Sequence, residues 1–205
     1  MLLSKQDIIN RLTKSMNEDA IDPLIVTPFI PGSEDKNNEH AASLDIHLGT
    51  WFVTTKARKW SLIDIYNEKD KAPPEEGITD KYYIPFGKKF ILHPNQFVLA
   101  ITLEWIRVPL DLSVMITGKS SWGRRGLIVE TAPGVHPGFS GCLTLEMTNV
   151  GNIAIAIMPG TEICQIFFQN LLNSENKPCS SRFFGKRQPC QGIIEESTFA
   201  KKLRR

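Results

Sequence analysis

An all-β domain, an antiparallel sandwich, barrel or jelly roll behind one short N-terminal helix, is what this sequence predicts. Three observations predict it. Strand-like runs recur at short intervals with apolar residues in alternation, as in Gly141 to Asn149. Turn residues punctuate them, as at Pro159-Gly160. No strand–helix–strand rhythm of the kind that builds a parallel sheet is present.

In chain order, Ser4-Lys5-Gln6-Asp7 resembles a capping box with Asp in the place of the usual Glu or Gln. Ile8, Leu12 and Met16 follow at helical spacing, which predicts a helix over about 5–16. The polar stretch 30–40 predicts a surface loop, and so does 67–80, whose Pro-Pro pair and charges exclude a buried strand. Strands are predicted over 44–48, 90–92, 96–108, 141–149, 153–157 and 162–169. The tail over 173–205 is polar and basic, and predicts a flexible segment ordered only by a partner or ligand.

The chain has 205 residues, 41% of them hydrophobic, which suits a single domain over 1–205 with a real core. A net charge of +2 argues against a nucleic-acid coat or a membrane-surface protein. No run of apolar residues is long enough to span a bilayer, and the N-terminus is charged where a secretory leader is apolar. A cytoplasmic location is expected. Cys142, Cys164, Cys179 and Cys190 form no C-x-x-C pair and are expected to be free thiols.

The chemistry is densest between Gly118 and Asn149. Gly118-Lys119-Ser120-Ser121-Trp122-Gly123-Arg124-Arg125-Gly126 joins small residues, hydroxyls and cations, a set suited to phosphate oxygens. It lacks the spacing of a Walker loop; taken alone, it also fits a solvated basic turn. Alternation puts Leu143, Leu145 and Met147 on one strand face and Thr144, Glu146 and Thr148 on the other. Glu146 is a candidate general base if a pocket covers that face, and an ordinary surface glutamate if none does. The loop from Thr131 to Phe139 (TAPGVHPGF) can present backbone groups to a base edge, or simply turn. A zinc deaminase is excluded by its missing signature. His40, His47, His93 and His136 are followed two residues on by Ala42, Gly49, Asn95 and Gly138, never Glu, and neither Pro-Cys pair continues to a second cysteine.

Four stretches carry a family resemblance, spanning roughly residues 1–192. Ala42 to Gly49 (ASLDIHLG), Phe90 to Leu110 with its T-x-E, GKSSWGRRGL, and HPGFSGCLTLEMTN together resemble the dCTP deaminases, which share a fold with trimeric dUTPases. The resemblance implies a distorted jelly-roll or β-barrel of the dUTPase-like type, assembled as a homotrimer with active sites between subunits. It implies hydrolytic deamination of dCTP to dUTP and ammonia, with Glu146 activating water. Ser120 and Arg124 match residues that polarise and place water and substrate. Lys119 and Ser121 match a phosphate-binding turn shared across a subunit boundary. Thr131 and Ala132 match the segment whose backbone reads the pyrimidine. In the tail, GKRQPCQG resembles a closing segment in which Lys186 touches the triphosphate, with Gln188 or Gln191 beside it. Mg²⁺ is expected to arrive on the nucleotide phosphates, with no zinc, and dTTP is expected as a feedback inhibitor.

The sequence departs from the family in places. His136 stands where an aspartate, which in dUTPases helps to bind the sugar and activate water, is usual. One residue is missing between Val129 and Thr131, with Glu130 at the gap, and Arg187 stands where a tyrosine is common. Two other readings therefore compete: dUTP hydrolysis, alone or coupled to deamination, and a non-catalytic nucleotide-binding relative. His136 weighs against the first of these, and the retained Glu146, Ser120 and Arg124 weigh against the second.

Overall fold

The computed structural model describes residues 1–17, 21–29, 41–55, 79–172 and 183–192, and the single positions Ser197, Phe199 and Lys202. The predicted loop over 30–40 and most of that over 67–80 lie outside these residues.

Helix α1 (Lys5–Asn17) starts where the sequence says it should. The Ser4 hydroxyl accepts the Asp7 amide at 3.2 Å, and the Asp7 carboxylate accepts the Ser4 amide at 3.3 Å and its hydroxyl at 2.6 Å. The shorter Asp thus closes the reciprocal cap that Glu usually makes. Leu3 before the cap and Ile8 and Leu12 inside the helix are buried in the core.

Eleven strands follow among the described residues: β1 (Ile25–Thr27), β2 (Leu44–Thr55), β3 (Thr79–Tyr83), β4 (Phe90–Leu92), β5 (Phe97–Arg107), β6 (Leu112–Gly118), β7 (Leu127–Glu130), β8 (Gly134–Val135), β9 (Ser140–Asn149), β10 (Ile155–Ile157) and β11 (Glu162–Asn170). One helical turn, α2 (Ser120–Gly123), lies between β6 and β7. All the ladders are antiparallel. The main sheet has nine strands in the order β7-β9-β5-β2-β11-β6-β8, with β1 on β5 and β3 on β2. No ladder among the described residues joins β7 to β8, so the sheet curls without closing. The β10–β4 pair attaches through Phe90, whose ring stacks on Phe52 at 4.5 Å.

The bend is built into β2, which pairs with β11 through its first half and with β5 through its second. Its register with β5 shifts between Leu48 and Phe52. Gly49 sits at that shift, where a Cβ would meet the carbonyl oxygens of Ile101 and Thr102 at 2.9 Å. Only glycine permits that approach. The core inside the curl holds Ile46, Leu48, Phe52, Ala100, Ile106, Leu145, Met147, Ile163 and Phe168, each contributing about 1.5–3 kcal/mol for the large side chains.

Several expectations need correction. The predicted 67–80 loop overlaps β3 at Thr79 and Asp80, because ladder pairing to Thr55 and Thr54 orders the end of a polar stretch. The predicted 153–157 strand begins only at Ile155; Ile153 is 81% exposed in a bend. Strands β1, β3, β6, β7 and β8 are not in the sequence reading. The tail is not wholly dependent on a partner: its 183–192 part packs on its own chain. The Gly185 amide donates to the Ser140 carbonyl at 2.7 Å, the Cys142 amide to the Lys186 carbonyl at 3.0 Å, and the Arg187 guanidinium lies 4.7 Å over the Trp105 ring. No helix among the described residues is long and apolar enough to cross a membrane.

Candidate active site

The turn between β6 and β7 is a compact, pinned structure. The Lys119 amide donates to the Ile163 carbonyl at 3.1 Å, and the Trp122 indole N–H to the Glu162 carbonyl at 2.9 Å, so both ends of α2 are tied to the start of β11. Arg125 folds back, its guanidinium donating to the Ser121 carbonyl at 2.7 Å. Gly126 has φ of +89° and passes Gly151 so closely that a Cβ would lie 2.9 Å from the Gly151 nitrogen. That close approach is the physical reason for a glycine just before Leu127.

Lys119 is engaged inside its own chain. Its ammonium donates to Glu162 Oε2 at 2.5 Å and lies 3.0 Å from Asp45 Oδ2, while Asp45 Oδ1 accepts from Gln165 at 2.9 Å. Burial alone would lower the Lys119 pKa; hydrogen bonds to Glu162 and Asp45 outweigh it and raise the value above the ordinary lysine range. Lys119, Ser121, Trp122, Arg125, Thr161 and Glu162 line an open cavity of about 470 Å³. Its two cations, Lys119 and Arg125, and two hydroxyls, Ser121 and Thr161, stand beside the Glu162 carboxylate, and these donors suit anionic oxygens.

Glu146 lies elsewhere. On β9 the faces separate as alternation predicts: Leu143, Leu145 and Met147 are buried, Thr144 and Thr148 are half-buried, and Glu146 is exposed. Its cross-strand neighbours are Leu99 on β5 and Glu130 on β7, so two carboxylates stand directly opposite each other on adjacent strands. Thr131 is fixed just beyond by its hydroxyl, which donates to the Thr144 carbonyl at 2.9 Å. Ala132 is exposed, and the next carbonyl, that of Pro133, accepts the Ile116 amide at 3.2 Å. His136 is exposed, and its carbonyl accepts the Phe139 amide at 3.2 Å within the turn before β9.

One chain therefore brings Thr131 close to the strand of Glu146, and gathers Lys119 and Ser121 at the cavity. Among the described residues no hydrogen bond or ion pair links Glu146 to Ser120 or Arg124, whose side chains are exposed. Lys186 and Gln188 are exposed in the docked tail, and Gln191 is half-buried.

The sequence reading passed over Asp45, His47, Glu104 and Glu162, although it quoted the motifs that contain three of them. A signal was there: Glu104 is a charge inside a long apolar strand. It is 3% exposed, and both its carboxylate oxygens accept the His47 amide, at 3.2 and 3.0 Å. Buried charges occur almost only when so paired. Asn149, in the quoted L-E-x-x-N pattern, is fully buried with its amide used throughout: it donates to the Leu92 and Ile153 carbonyls at 3.0 and 2.8 Å and accepts the Gly151 amide at 2.9 Å.

Comparison with known proteins agrees with the sequence resemblance. A family model described as dCTP deaminase-like matches residues 2–171. The chain is 37% identical over 146 residues to the "dCTP deaminase, dUMP-forming" of Methanobrevibacter smithii, covering 71% of this chain and 73% of that protein. It is 35% identical over 203 residues to the protein of the same name from Tropheryma whipplei, covering 96% of this chain and 94% of that one. Among solved structures, the 2'-deoxycytidine 5'-triphosphate deaminase of Agrobacterium tumefaciens is similar in fold, with a TM-score of 0.58 at 20% identity over 82% of this chain. The match covers 48% of that longer protein, so the chain spans about half its length.

Proposed function

The chain belongs to the dCTP deaminase-like family, and from that premise we propose that it removes the C4 amino group of dCTP by hydrolysis and carries the nucleotide on to dUMP. The observation that carries the reading is the near full-length likeness to proteins named dUMP-forming dCTP deaminases, joined to the family's glutamate on the outward face of β9. In this reaction dCTP and two waters give dUMP, ammonia and pyrophosphate.

In the deamination step Glu146 takes a proton from water as the oxygen bonds to C4. It then returns the proton to the departing ammonia. Such general acid–base assistance is worth roughly 10²- to 10⁴-fold. The strand holds the carboxylate on a rigid platform, with Leu145 and Met147 anchored in the core beneath it. Ser120 and Arg124 donate to the developing tetrahedral centre, and Thr131 and Ala132 read the pyrimidine edge through their backbone. Lys119 and Ser121 take phosphate oxygens, with Lys186 and Gln188 or Gln191 closing over them. Mg²⁺ bound to the triphosphate would offset part of its charge, and the cations and hydroxyls at the cavity rim address the phosphate oxygens. Among the described residues no hydrogen bond or ion pair joins Glu146 to Ser120 or Arg124, which supports a site completed by a neighbouring copy, and we place it in a homotrimer.

A second reading, in which the reaction stops at dUTP, is favoured by His136. An imidazole carries no negative charge and is a poor substitute for the aspartate that helps dUTPases bind the sugar and activate water. One assay separates the two: dCTP and dUTP are supplied in turn, with ammonia and pyrophosphate read independently. Equal yields of ammonia and pyrophosphate from dCTP are expected. Ammonia without pyrophosphate would establish the second reading, and neither product would overturn both. Mixing inactive Glu146→Gln and Arg124→Ala chains tests the shared site. Activity should return in the mixture, and a monomer active in light scattering would refute it.

A further inference from the structure

Among the described residues Glu104 is the only buried charged one. It stands in β5 where the register with β9 shifts between Ile101 and Trp105, and it reaches across to β2. There it receives the His47 amide on both oxygens, and its Oε1 lies 2.5 Å from His47 Nδ1. A buried carboxylate cannot relax away from such partners without losing its only compensation for lost water. One side of the His47 ring is thus held by a fixed anion.

The charges of Glu162 and Asp45 also reach His47. Glu162 on β11 is the cross-strand partner of His47, and Asp45 lies two residues back on β2. These are the two carboxylates that hold the Lys119 ammonium, at 2.5 and 3.0 Å. A chain of alternating charges runs from the core to the surface: Glu104, His47, the Glu162 and Asp45 pair, then Lys119.

We propose that His47 is a positioning residue for the triphosphate, whose charge sets how firmly Glu162 and Asp45 hold Lys119 and hence how freely Lys119 turns to the nucleotide. This rests on Lys119 being a phosphate ligand, as read above. Glu162 and Asp45 hold Lys119 directly and act on His47 through their charge, so charge on His47 weakens their hold on Lys119 and discharge strengthens it. The groups facing His47 are Glu104 from β5, Glu162 from β11 and Asp45 from its own strand, with the Lys119 cation beyond them. The hydrogen bond to Glu104 raises the His47 pKa above its ordinary 6.5; burial opposes this, and the charges of Glu104, Glu162 and Asp45 add to it. As pH rises through that raised value His47 loses its charge, the carboxylates close on Lys119, and KM for dCTP rises while kcat at saturation does not follow.

The test is KM and kcat for dCTP with Mg²⁺, from about pH 5.5 to 8.5, on the full chain and on Lys119→Ala, His47→Gln and Glu162→Gln. Gln at 47 keeps a donor toward Glu104 but cannot titrate. The terminal phosphate of the nucleotide titrates in every case, so the ratio of wild-type to His47→Gln KM isolates the residue. That ratio should climb roughly two- to five-fold across the titration, the scale of a partly exposed ion pair, with equal kcat. Glu162→Gln should lower KM at the alkaline end. Parallel KM profiles for wild type and His47→Gln overturn the proposal. If His47→Gln does not fold, an unchanged profile for Glu162→Gln overturns it instead. An unchanged KM in Lys119→Ala would sink the phosphate reading itself, a distinct failure.

Discussion

The carboxylate strand and the turn between β6 and β7 are prepared in opposite ways. Glu146 projects from a rigid strand with no hydrogen bond or ion pair among the described residues, facing Glu130 across the ladder. Lys119 is already bound on two sides by carboxylates of its own chain. The first region is unfinished until something arrives: substrate, water or a neighbouring copy. The second is already satisfied within its own chain, and in the proposed reading Lys119 exchanges partners to bind. A mutation in the first should therefore cost turnover, and one in the second should cost affinity.

The largest expected effect is at Glu146. Glu146→Gln keeps the shape and removes the base, so kcat should fall by at least about 10²-fold with KM and assembly unchanged. A surface glutamate with no role would leave the rate intact, and near-normal ammonia release by this variant would refute the comparison at its root. Glu130→Gln is the control on the opposite strand; a larger loss there would transfer the role of base to Glu130.

Next comes Lys119→Ala, which should raise KM roughly 10- to 100-fold, the range of a charge-assisted hydrogen bond, with a smaller change in kcat. A loss confined to kcat would place Lys119 with the carboxylate strand and erase the contrast. The two regions meet through Asn149, whose side chain holds the Gly151 amide against which Gly126 packs. Asn149→Ala strands the buried Leu92 carbonyl and removes the partner of the Ile153 carbonyl and the Gly151 amide, and should cost about 1–3 kcal/mol of stability, read as a melting temperature lower by roughly 2–10 °C. Equal melting temperatures would show that the junction is not structural.

The smallest expected effect is chemical silence. Cys164 pairs with Gly118, where the turn between β6 and β7 begins. Burial first, then the Glu104 and Asp45 carboxylates, push its thiol well above the ordinary range, with Lys119 offsetting part. In the native protein it should resist a thiol reagent at mildly alkaline pH and react only on unfolding. Rapid native labelling of Cys164 would mean that the turn opens far more often than its pinning suggests.

Much of the frame was legible in the sequence because it rests on local rules. The capping box at Ser4 and Asp7 is written in four residues, and the two faces of β9 follow from period two. The strands that escaped notice are short or irregular. β8 has two residues, and β7 carries Glu130 at its end, so ladder partners far along the chain define them. The site was legible only where the family's motifs are linear. Lys119 stood out as a cation in a glycine-rich turn, yet its partners Asp45 and Glu162 are separated by more than half the chain. They meet because β2 and β11 pair. The docked 183–192 segment was unforeseeable for the same reason: polar residues and few apolar ones give no local cue that Arg187 will settle over Trp105.

Before α1 begins, the chain forms a clip along the last strand. The Leu3 amide donates to the Phe168 carbonyl at 2.8 Å, and the Asn170 amide to the Met1 carbonyl at 3.0 Å. The backbone of residues 1–170 thus returns to the corner from which it set out. For an engineer this makes the fold a near-closed loop. In a version shortened by residues 171–205, a short linker could join residue 170 to residue 1 and let new ends open at another exposed connection, a circular permutation that keeps every ladder among the described residues intact. The same corner would set two tags, one at each end of that segment, side by side, a pair suited to reporting by energy transfer whether the last strand has unzipped.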